Sequence, residues 1–347
     1  MAVVRTRILQ GFDDPSFGRD DWNALLRTGP TDHPFLTWEY QRAWRESCGV
    51  GELLLIVAER DGKVVALAPF FTDSDMIYFQ GTDFESDCLD FIGDISDPDV
   101  LDALLDTARS RVPEFEGFRL YFVPDSSQTG TRLAAAAERL GLSCYEEGVE
   151  ARPLLDIARN PDAALAATRK KQILRYERLF QKEGTFEVTH LRDGTAILPH
   201  LNDFFDQHIA RWAGTRNPSR FEIPAVRRLF ERLTHLAAES GWLRFTRLDW
   251  QGRSIAMHYG FCYQGRYIWG IPSFVMDIAS RSPGLVLLRH LLLAAIDEGA
   301  HTFDFRTGDQ SFKMRFATET TTLRTWGMYM HSPAATPSVT QGDVVRC

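Results

Sequence analysis

The sequence has no long hydrophobic run. None of its segments approaches the roughly 18 to 20 consecutive apolar residues that a membrane-spanning helix requires. Residues 1–7 also lack an apolar stretch followed by small residues, so we expect no secretory signal. We therefore expect a cytoplasmic protein without a transmembrane segment.

Closely spaced cysteines are also missing. The five cysteines are scattered, and no two of them form a CxxC pair, so neither a thiolate zinc site nor a thioredoxin motif is expected. We expect no metal cofactor. An odd, scattered set fits a reducing cytoplasm. The set consists of Cys48, Cys88, Cys144, Cys262 and Cys347.

An excess of basic residues is absent too. The chain has 39 Lys and Arg against 47 Asp and Glu, which gives a net charge of −8 with neutral histidine. Bulk charge therefore argues against a general nucleic-acid binder. The composition, 44% hydrophobic and 25% charged, is that of a globular protein and excludes collagen-like, coiled-coil and wholly disordered chains.

The length of 347 residues fits two domains, and one pattern of elements occurs twice. Each half reads as helices, an antiparallel hairpin or meander, a helix and a strand, which indicates an α/β half-unit used twice. We predict an N-terminal lobe over residues 1–155 and a C-terminal lobe over residues 156–330. The last strand, at 323–330, could return to the first lobe. Residues 331–347 are predicted to be a disordered tail.

Local signals mark particular elements. Asp61-Gly62 predicts the turn of a hairpin over residues 53–71. The spacing of apolar residues predicts one long helix over 161–183 and another over 283–298, stopped by Gly299.

A series of short motifs follows in a fixed order along the chain. The C-terminal half has Ser282-Pro283-Gly284, an apolar helix, Gly299, Phe303-Asp304-Phe305, Gly308-Asp309 and Phe312-Lys313 followed by Phe316. The other motifs lie at residues 33–40, 61–62, 68–70, 86–90 and 208–212.

This order, over residues 30–330, resembles the CelD/BcsL-type acyltransferases of the GNAT superfamily, relatives of the FemAB aminoacyltransferases. Phe312 and Phe316 replace the Tyr and Trp of that pattern. The resemblance implies tandem GNAT-like folds, with two mixed, largely antiparallel sheets flanked by helices. It also implies transfer of an acyl group to an amine.

The segment before the second apolar helix carries the expected donor site. In GNAT enzymes a loop of the form R/Q-x-x-G-x-G/A leads into a helix whose first N–H groups hold the CoA pyrophosphate. Here Arg281, Ser282, Gly284 and Leu285 are the expected contacts with acyl-CoA or acetyl-CoA. Val286 departs from the Gly/Ala of this pattern and Pro283 removes one N–H donor, and an ordinary helix N-terminus is the alternative.

Catalytic candidates follow from the chemistry of acyl transfer. His258, among small residues on a predicted strand, is a candidate base or else a buried structural histidine. The resemblance to FemAB relatives implies that Lys313 stabilises negative charge on the carbonyl oxygen, with a solvated loop lysine as the alternative. Asp304 would orient Lys313 or Arg315, or would form a structural pair, and the turn at Asp309 would direct the Lys313 side chain towards the site.

Acceptor candidates lie in both halves. Asp87 and Asp90 could bind an ammonium group or sugar hydroxyls, and Arg211 and Trp212 could hold an anionic or saccharide group. The alternative for all four is a structural role between domains.

The predicted helix over 161–183 is basic, with six basic and three acidic residues. The basic side chains of this helix could bind tRNA, CoA phosphates or anionic lipid, or they could simply be solvated.

The leading hypothesis is a cytoplasmic N-acyltransferase that moves an acyl group from acyl-CoA to an amine. The family resemblance suggests that the amine lies on a cell-envelope saccharide or a (sphingo)lipid precursor, with peripheral membrane contact left open. Two rivals remain. One is a FemAB-like transferase dependent on aminoacyl-tRNA, and the other is a non-catalytic GNAT-like scaffold in envelope assembly.

Overall fold

The computed structural model describes residues 3–82, 86–308 and 310–331. The chain forms two compact units: unit 1 contains residues 1–151 and 321–347, and unit 2 contains residues 152–320. Of the predicted disordered tail, residues 332–347 lie outside the described residues. The sequence-based boundary after residue 155 falls in the same strand as the division at 151.

Unit 1 alternates helices with short strands. Its elements are β1 (Arg5–Ile8), α1 (Arg19–Leu26), α2 (Trp38–Cys48), β2 (Glu52–Arg60), β3 (Lys63–Asp73), β4 (Met76–Phe79), β5 (Ile92–Gly93), α3 (Pro98–Arg109), β6 (Gly117–Pro124), α4 (Thr129–Leu140) and the first part of β7 (Ser143–Asp156).

Unit 2 contains the last part of β7 and then α5 (Pro161–Thr168), α6 (Lys171–Glu183), β8 (Phe186–Leu191), α7 (Gly194–Ile197), α8 (Leu201–Trp212), α9 (Pro224–Leu236), β9 (Leu243–Trp250), β10 (Arg253–Tyr263), β11 (Arg266–Phe274), α10 (Pro283–Asp297), β12 (Thr302–Asp304) and α11 (Ser311–Met314). The chain then enters β13 (Glu319–Tyr329), most of which belongs to unit 1.

The strand order in unit 1 is β1-β2-β3-β4-β6-β13-β7, with β5 paired to β3. The β4–β6 pair is parallel, whereas β1–β2, β2–β3, β3–β4 and β6–β13 are antiparallel. The predicted hairpin of β2 and β3 turns at Asp61 and Gly62, whose φ angles are 51° and 72°. Positive φ at both central residues matches the twist of the flanking strands.

The strand order in unit 2 is β7-β12-β11-β10-β9-β8. Here β11–β12 is the parallel pair, and β7–β12, β10–β11, β9–β10 and β8–β9 are antiparallel. The apolar helix α10 packs on this sheet, and its Leu288, Leu291 and Leu292 lie in one core with Tyr267 and Phe303. Each unit is thus a mixed, mainly antiparallel set of strands flanked by helices, as the sequence predicts.

The single long helix predicted over 161–183 is wrong, because the chain breaks between α5 and α6. Lys170 is extended there, with ψ 122°, so the helical hydrogen bonds stop at Thr168. Arg289 of α10 stabilises the break, since its Nε donates to the Thr168 carbonyl at 3.0 Å and its guanidinium pairs with Glu177 of α6 at 2.8 Å. Helical periodicity continues through the break, and the contact that ends α5 comes from a residue 121 positions away.

Two further differences concern strands with weak sequence signals. The sequence predicts no strand at β1, and it predicts a strand only over 154–157, whereas β7 starts at Ser143. The early part of β7 is polar and only partly buried, so it lacks the apolar run that marks a strand.

Candidate functional site

The site in unit 2 begins where two parallel strands separate. Strand β11 pairs with β12 only over Arg266–Ile268 and Thr302–Asp304. After Asp304 the chain leaves this ladder, and Phe305 donates its N–H to the Pro153 carbonyl at 3.1 Å. Strand β11 continues to Phe274 paired only with β10, so its other edge is free of β12 from Trp269 onward.

A cavity of about 280 Å³ lies beside this part of β11. We call it the β11 cavity. Its walls come from α8, β11, the loop after β11, the first turns of α10 and Phe312. The lining residues are Arg211, Trp269, Pro272, Phe274, Met276, Ala279, Ser282, Gly284, Leu285, Leu288 and Phe312. It is a mostly apolar cavity with one charged residue.

Three of the four predicted donor contacts line this cavity: Ser282, Gly284 and Leu285. Ser282 precedes α10 with φ 51°, a left-handed conformation that turns the chain sharply into the helix. At Gly284 a Cβ atom would lie 3.0 Å from Cδ1 of Phe274. The glycine therefore lets the start of α10 lie close to β11 while the Phe274 ring faces the cavity.

The fourth predicted contact, Arg281, does not line the cavity. Its guanidinium pairs with Glu183 at 2.5 Å and lies 5.3 Å from the centre of the Trp250 ring. Arg281 is thus tied to the end of α6 and the end of β9. We correct its role from donor contact to a link that fixes the loop before α10.

Several backbone N–H groups in the loop before α10 already donate hydrogen bonds to carbonyls of the same loop. The N–H groups of Ala279, Arg281 and Ser282 donate to carbonyls within the loop, at 2.9 to 3.1 Å, and Pro283 has no N–H. The loop therefore offers a phosphate fewer N–H groups than a fully open cradle would. The N–H donor that Pro283 lacks is therefore not replaced by these three residues of the loop.

Arg211 reaches the cavity from the last turn of α8. Its Nη1 donates to the Pro272 carbonyl at 2.7 Å, and its guanidinium lies 4.1 Å from the centre of the Phe274 ring and 5.0 Å from that of Trp212. Burial lowers the pKa of Arg211 to about 10, so the group stays charged at neutral pH. Burial and the Arg211 charge also lower the pKa of nearby His208 to about 4. Trp212 is half-buried and does not line the cavity.

The structure gives His258 a structural role. Its side chain is fully buried, does not line the cavity, and accepts the Gly270 N–H on Nε2 at 3.0 Å. Burial lowers the pKa of His258 to about 3. Because the basic nitrogen already holds a backbone proton donor, the prediction of a catalytic base is corrected.

Asp304 is completely buried and ion-paired. Its carboxylate contacts the guanidinium of Arg152, lies 3.6 Å from that of Arg266, and accepts the Arg306 N–H at 2.8 Å. Burial opposes ionisation, but the two arginine charges outweigh it and hold the pKa of this carboxyl below its usual value. Of the two roles predicted for Asp304, its described contacts are those of a structural pair.

Lys313 lies on α11 next to Phe312, which lines the cavity. Its side chain is 7% exposed, and its Nζ donates to the Thr307 carbonyl. The alternative of a solvated lysine is therefore wrong, and the oxyanion role stays a prediction. Asp309, the residue expected to aim this lysine, lies outside the described residues.

Unit 1 has a similar short parallel ladder, and a segment of the chain itself lies beyond the end of that ladder. There β4 pairs in parallel with β6 only over Met76–Tyr78 and Gly117–Arg119. Beyond this ladder, Leu89 donates its N–H to the Phe122 carbonyl at 3.0 Å, and Ile92 pairs with Leu67 of β3. Every residue from Cys88 to Ile92 is buried.

Asp90 lies in this segment, and Asp87 directly precedes it. Both are 1% exposed, and Asp90 accepts hydroxyl protons from Thr31 at 2.7 Å and from Thr129 at 2.8 Å. Burial raises the pKa of Asp90. We therefore correct the expectation that they bind the acceptor, since these carboxylates are enclosed in the core of unit 1.

Comparison with known proteins bears on the fold. The family described as "Acetyltransferase (GNAT) domain" matches residues 167–314. FemX superposes with a TM-score of 0.63 at 13% identity, over 89% of this chain and 96% of that protein. A tandem GNAT protein from the clavulanic acid biosynthesis pathway superposes with a TM-score of 0.50 at 10% identity, over 95% and 99%.

The chain has a tandem GNAT-like fold. A third similar structure is the C-terminal domain of a putative lysylphosphatidylglycerol synthetase from Agrobacterium fabrum, with a TM-score of 0.57 at 16% identity, over 90% and 92% of the two chains. The curated proteins include no significant match. Among the described residues, no helix is long and apolar enough to cross a membrane.

The sequence did not predict that most of the residues lining the cavity belong to the site. The sequence predicts a strand over 266–271 that contains Trp269 and gives Pro272 and Phe274 no role, although all three line the cavity. One available signal was Pro272 directly after this predicted strand, because a proline cannot donate to a ladder and is typical of a sheet edge.

Substitution of Gly284 tests the donor loop. Gly284→Ala should displace the Phe274 ring and weaken donor binding, and the bulkier Gly284→Val should weaken it further, by tenfold or more. Melting temperatures should fall by only a few degrees, because the neighbour is the ring of a cavity-lining side chain. Calorimetric donor affinity and thermal melting check this. A variant that melts far lower yet binds normally would make Gly284 a purely structural residue.

Acid unfolding tests the assignment of His258. The unfolded chain binds a proton at His258 near pH 6.5 but the folded chain only near pH 3, so its contribution is complete above pH 6.5 and is lost as the pH falls towards 3. The unfolding free energy of wild type should therefore drop towards that of His258→Gln by up to about 1.4 kcal/mol per pH unit. Urea unfolding from pH 7.5 to 4 measures this. Exposed His235→Gln is the control, and parallel curves for wild type and His258→Gln would contradict the assignment.

Proposed function

We propose that the protein is an N-acyltransferase whose donor binds with its acyl and pantetheine part in the β11 cavity. The observation that carries the proposal is the position of this cavity: it lies in the GNAT domain, between the free edge of β11 and the first turn of α10. We take acyl-CoA as the donor. The apolar walls suit a hydrocarbon chain, whereas Ser282 and Gly284 lie at the positive end of the α10 dipole, which favours phosphate.

The proposed reaction breaks the thioester C–S bond and forms an amide C–N bond. The amine loses one proton and the leaving thiolate gains one. Among the described residues that line the cavity there is no histidine and no carboxylate. We therefore assign no base and propose that the acceptor enters as the free amine.

Lys313 is the proposed source of positive charge for the oxygen of the tetrahedral intermediate. Its neighbour Phe312 lines the cavity, and its own ammonium group is screened from solvent. A cation in such an environment stabilises developing charge more strongly than one in water. The Thr307 carbonyl would hold the ammonium group in place between turnovers.

For the acceptor we propose an amine on a cell-envelope saccharide or a (sphingo)lipid precursor. The motif resemblance to CelD/BcsL-type acyltransferases supports this class. The name of one similar structure, a lysylphosphatidylglycerol synthetase, describes an enzyme of a membrane lipid. Peripheral membrane contact and a cytoplasmic location belong to the same proposal.

A second candidate is a transferase that uses aminoacyl-tRNA. The favouring observation is a basic surface beside the donor loop, since the basic residues of α5 and α6 and their junction are all exposed. Tyr176 of α6 hydrogen-bonds to Ser282, which places this surface next to the start of α10. Because several N–H groups of the loop already donate to carbonyls of the loop, fewer are left to hold a CoA pyrophosphate, which also favours this second candidate. The basic residues are Arg169, Lys170, Lys171, Arg175, Arg178 and Lys182.

A donor panel separates the two candidates. Acetyl-CoA, a long-chain acyl-CoA and an aminoacyl-tRNA should be tested for thermal stabilisation, since a ligand at 100 times its Kd adds about 2.7 kcal/mol. We expect a clear shift with acyl-CoA and none with charged tRNA. The reverse result would establish the tRNA-dependent candidate. No shift with any donor would favour a non-catalytic scaffold.

Lys313→Met tests the catalytic role with the donor so identified. Loss of the charge should lower kcat about 10²-fold, the effect of removing one donor to an oxyanion, with little change in donor affinity. Lys63→Met, an exposed lysine in the β2–β3 turn, is the matched control. A near-wild-type rate for Lys313→Met would remove Lys313 from the mechanism.

A further inference from the structure

The charge of Arg211 has no carboxylate partner among the described residues. Its contacts are the Pro272 carbonyl, the ring of Phe274 and the ring of Trp212. These groups orient the guanidinium, but none of them is an anion.

Three other arginines of unit 2, whose side chains are largely buried, form ion pairs with carboxylates. Arg152 pairs with Asp304, and Arg244 pairs with Glu298 at 2.7 Å. Arg289 pairs with Glu177 at 2.8 Å. A charge that leaves water is costly unless it is paired, which explains these three pairs. The half-buried Arg211 differs from these three arginines, because no carboxylate pairs with it among the described residues.

A second source of positive potential faces the same cavity. The 15-residue helix α10 begins here, with Ser282 and Gly284 in the wall. The N-terminal end of a helix carries roughly half a positive charge, which adds to the charge of Arg211. None of the described lining residues is acidic, so nothing in the wall offsets this potential.

The remaining wall is apolar. Trp269, Met276, Leu285, Leu288 and Phe312 offer hydrocarbon and aromatic surface to a ligand. The complementary molecule is therefore an apolar chain that carries one negative group near Arg211.

We propose that Arg211 binds an anionic group, a phosphate or a carboxylate, on the otherwise apolar ligand of the β11 cavity. This proposal rests on the proposed function insofar as it takes the β11 cavity as the ligand site, and it names the ligand class that the site selects. Two sources share this chemistry: the phosphate at the end of a pantetheine arm, and the carboxylate of a fatty chain. The Pro272 carbonyl occupies one N–H of the guanidinium, and the remaining N–H groups are those proposed to meet the anion.

Two pairs of probes distinguish these sources. One pair is 4′-phosphopantetheine and pantetheine, and the other is octanoate and octan-1-ol. The two members of each pair have closely similar uncharged bodies, and only one member carries the anion. In calorimetric titrations we expect wild type to bind the anionic member of at least one pair tenfold or more tightly, and the responding pair identifies the source.

Three variants assign the preference to Arg211. Arg211→Gln keeps an N–H for the Pro272 carbonyl but removes the charge, so the preference should fall to within twofold. Arg211→Lys should retain most of it. Arg228→Gln, at an exposed position of α9, makes the same charge change away from the cavity and should bind like wild type. Thermal melting of each variant verifies that it is folded.

Equal binding of anionic and neutral probes by wild type would overturn the proposal, as would a preference that survives in Arg211→Gln. Binding of none of the four probes would overturn it too. The proposed function fails separately: a protein that shows the Arg211-dependent preference but transfers no acyl group from any donor contradicts only that function.

Discussion

The candidate site depends on a short parallel ladder that is fixed by one buried carboxylate. Asp304 ends the three-residue pairing of β11 with β12, and its ion pairs with Arg152 and Arg266 hold the two strands and β7 together. Because the ladder stops there, β12 leaves one edge of β11 from Trp269 onward, while β10 still pairs with the other edge, and α10 can lie against the edge that β12 has left. The cavity follows from that separation. An uncharged residue at 304 would remove the carboxylate that pairs with the buried Arg152 and lies near Arg266.

Each unit has a short parallel ladder, but a chain segment lies beyond the ladder of unit 1 and a cavity lies beyond that of unit 2. In unit 1 the segment from Cys88 to Ile92 lies beyond the β4–β6 ladder, with Asp90 hydrogen-bonded to Thr31 and Thr129. In unit 2 the corresponding edge borders a cavity with Arg211 and the start of α10 in its wall. A duplicated fold thus contains one edge closed by its own chain and one edge open to a ligand. This difference favours unit 2 as the unit that carries chemistry.

Residues that looked equally suitable in the sequence differ in the structure because their surroundings differ. His258 and Lys313 both looked like catalytic groups, but a backbone N–H occupies the basic nitrogen of the histidine. The lysine, by contrast, is buried beside a cavity-lining aromatic residue. Arg281 and Arg211 are both single arginines in suitable motifs. Glu183 neutralises the first, whereas the second faces the cavity without a carboxylate.

The sequence by itself determined the elements and their order, because apolar periodicity and turn residues are local signals. The β2–β3 hairpin and the apolar α10 were predictable in this way, whereas Ser282, Gly284 and Leu285, which line the cavity, were singled out by the resemblance to the GNAT loop. Tertiary structure decided the break between α5 and α6, the burial of Asp87 and Asp90, and the position of Arg211 against Pro272. Each of these depends on a contact between residues far apart in the chain, and whether a polar group is paired or free becomes defined only when such contacts form.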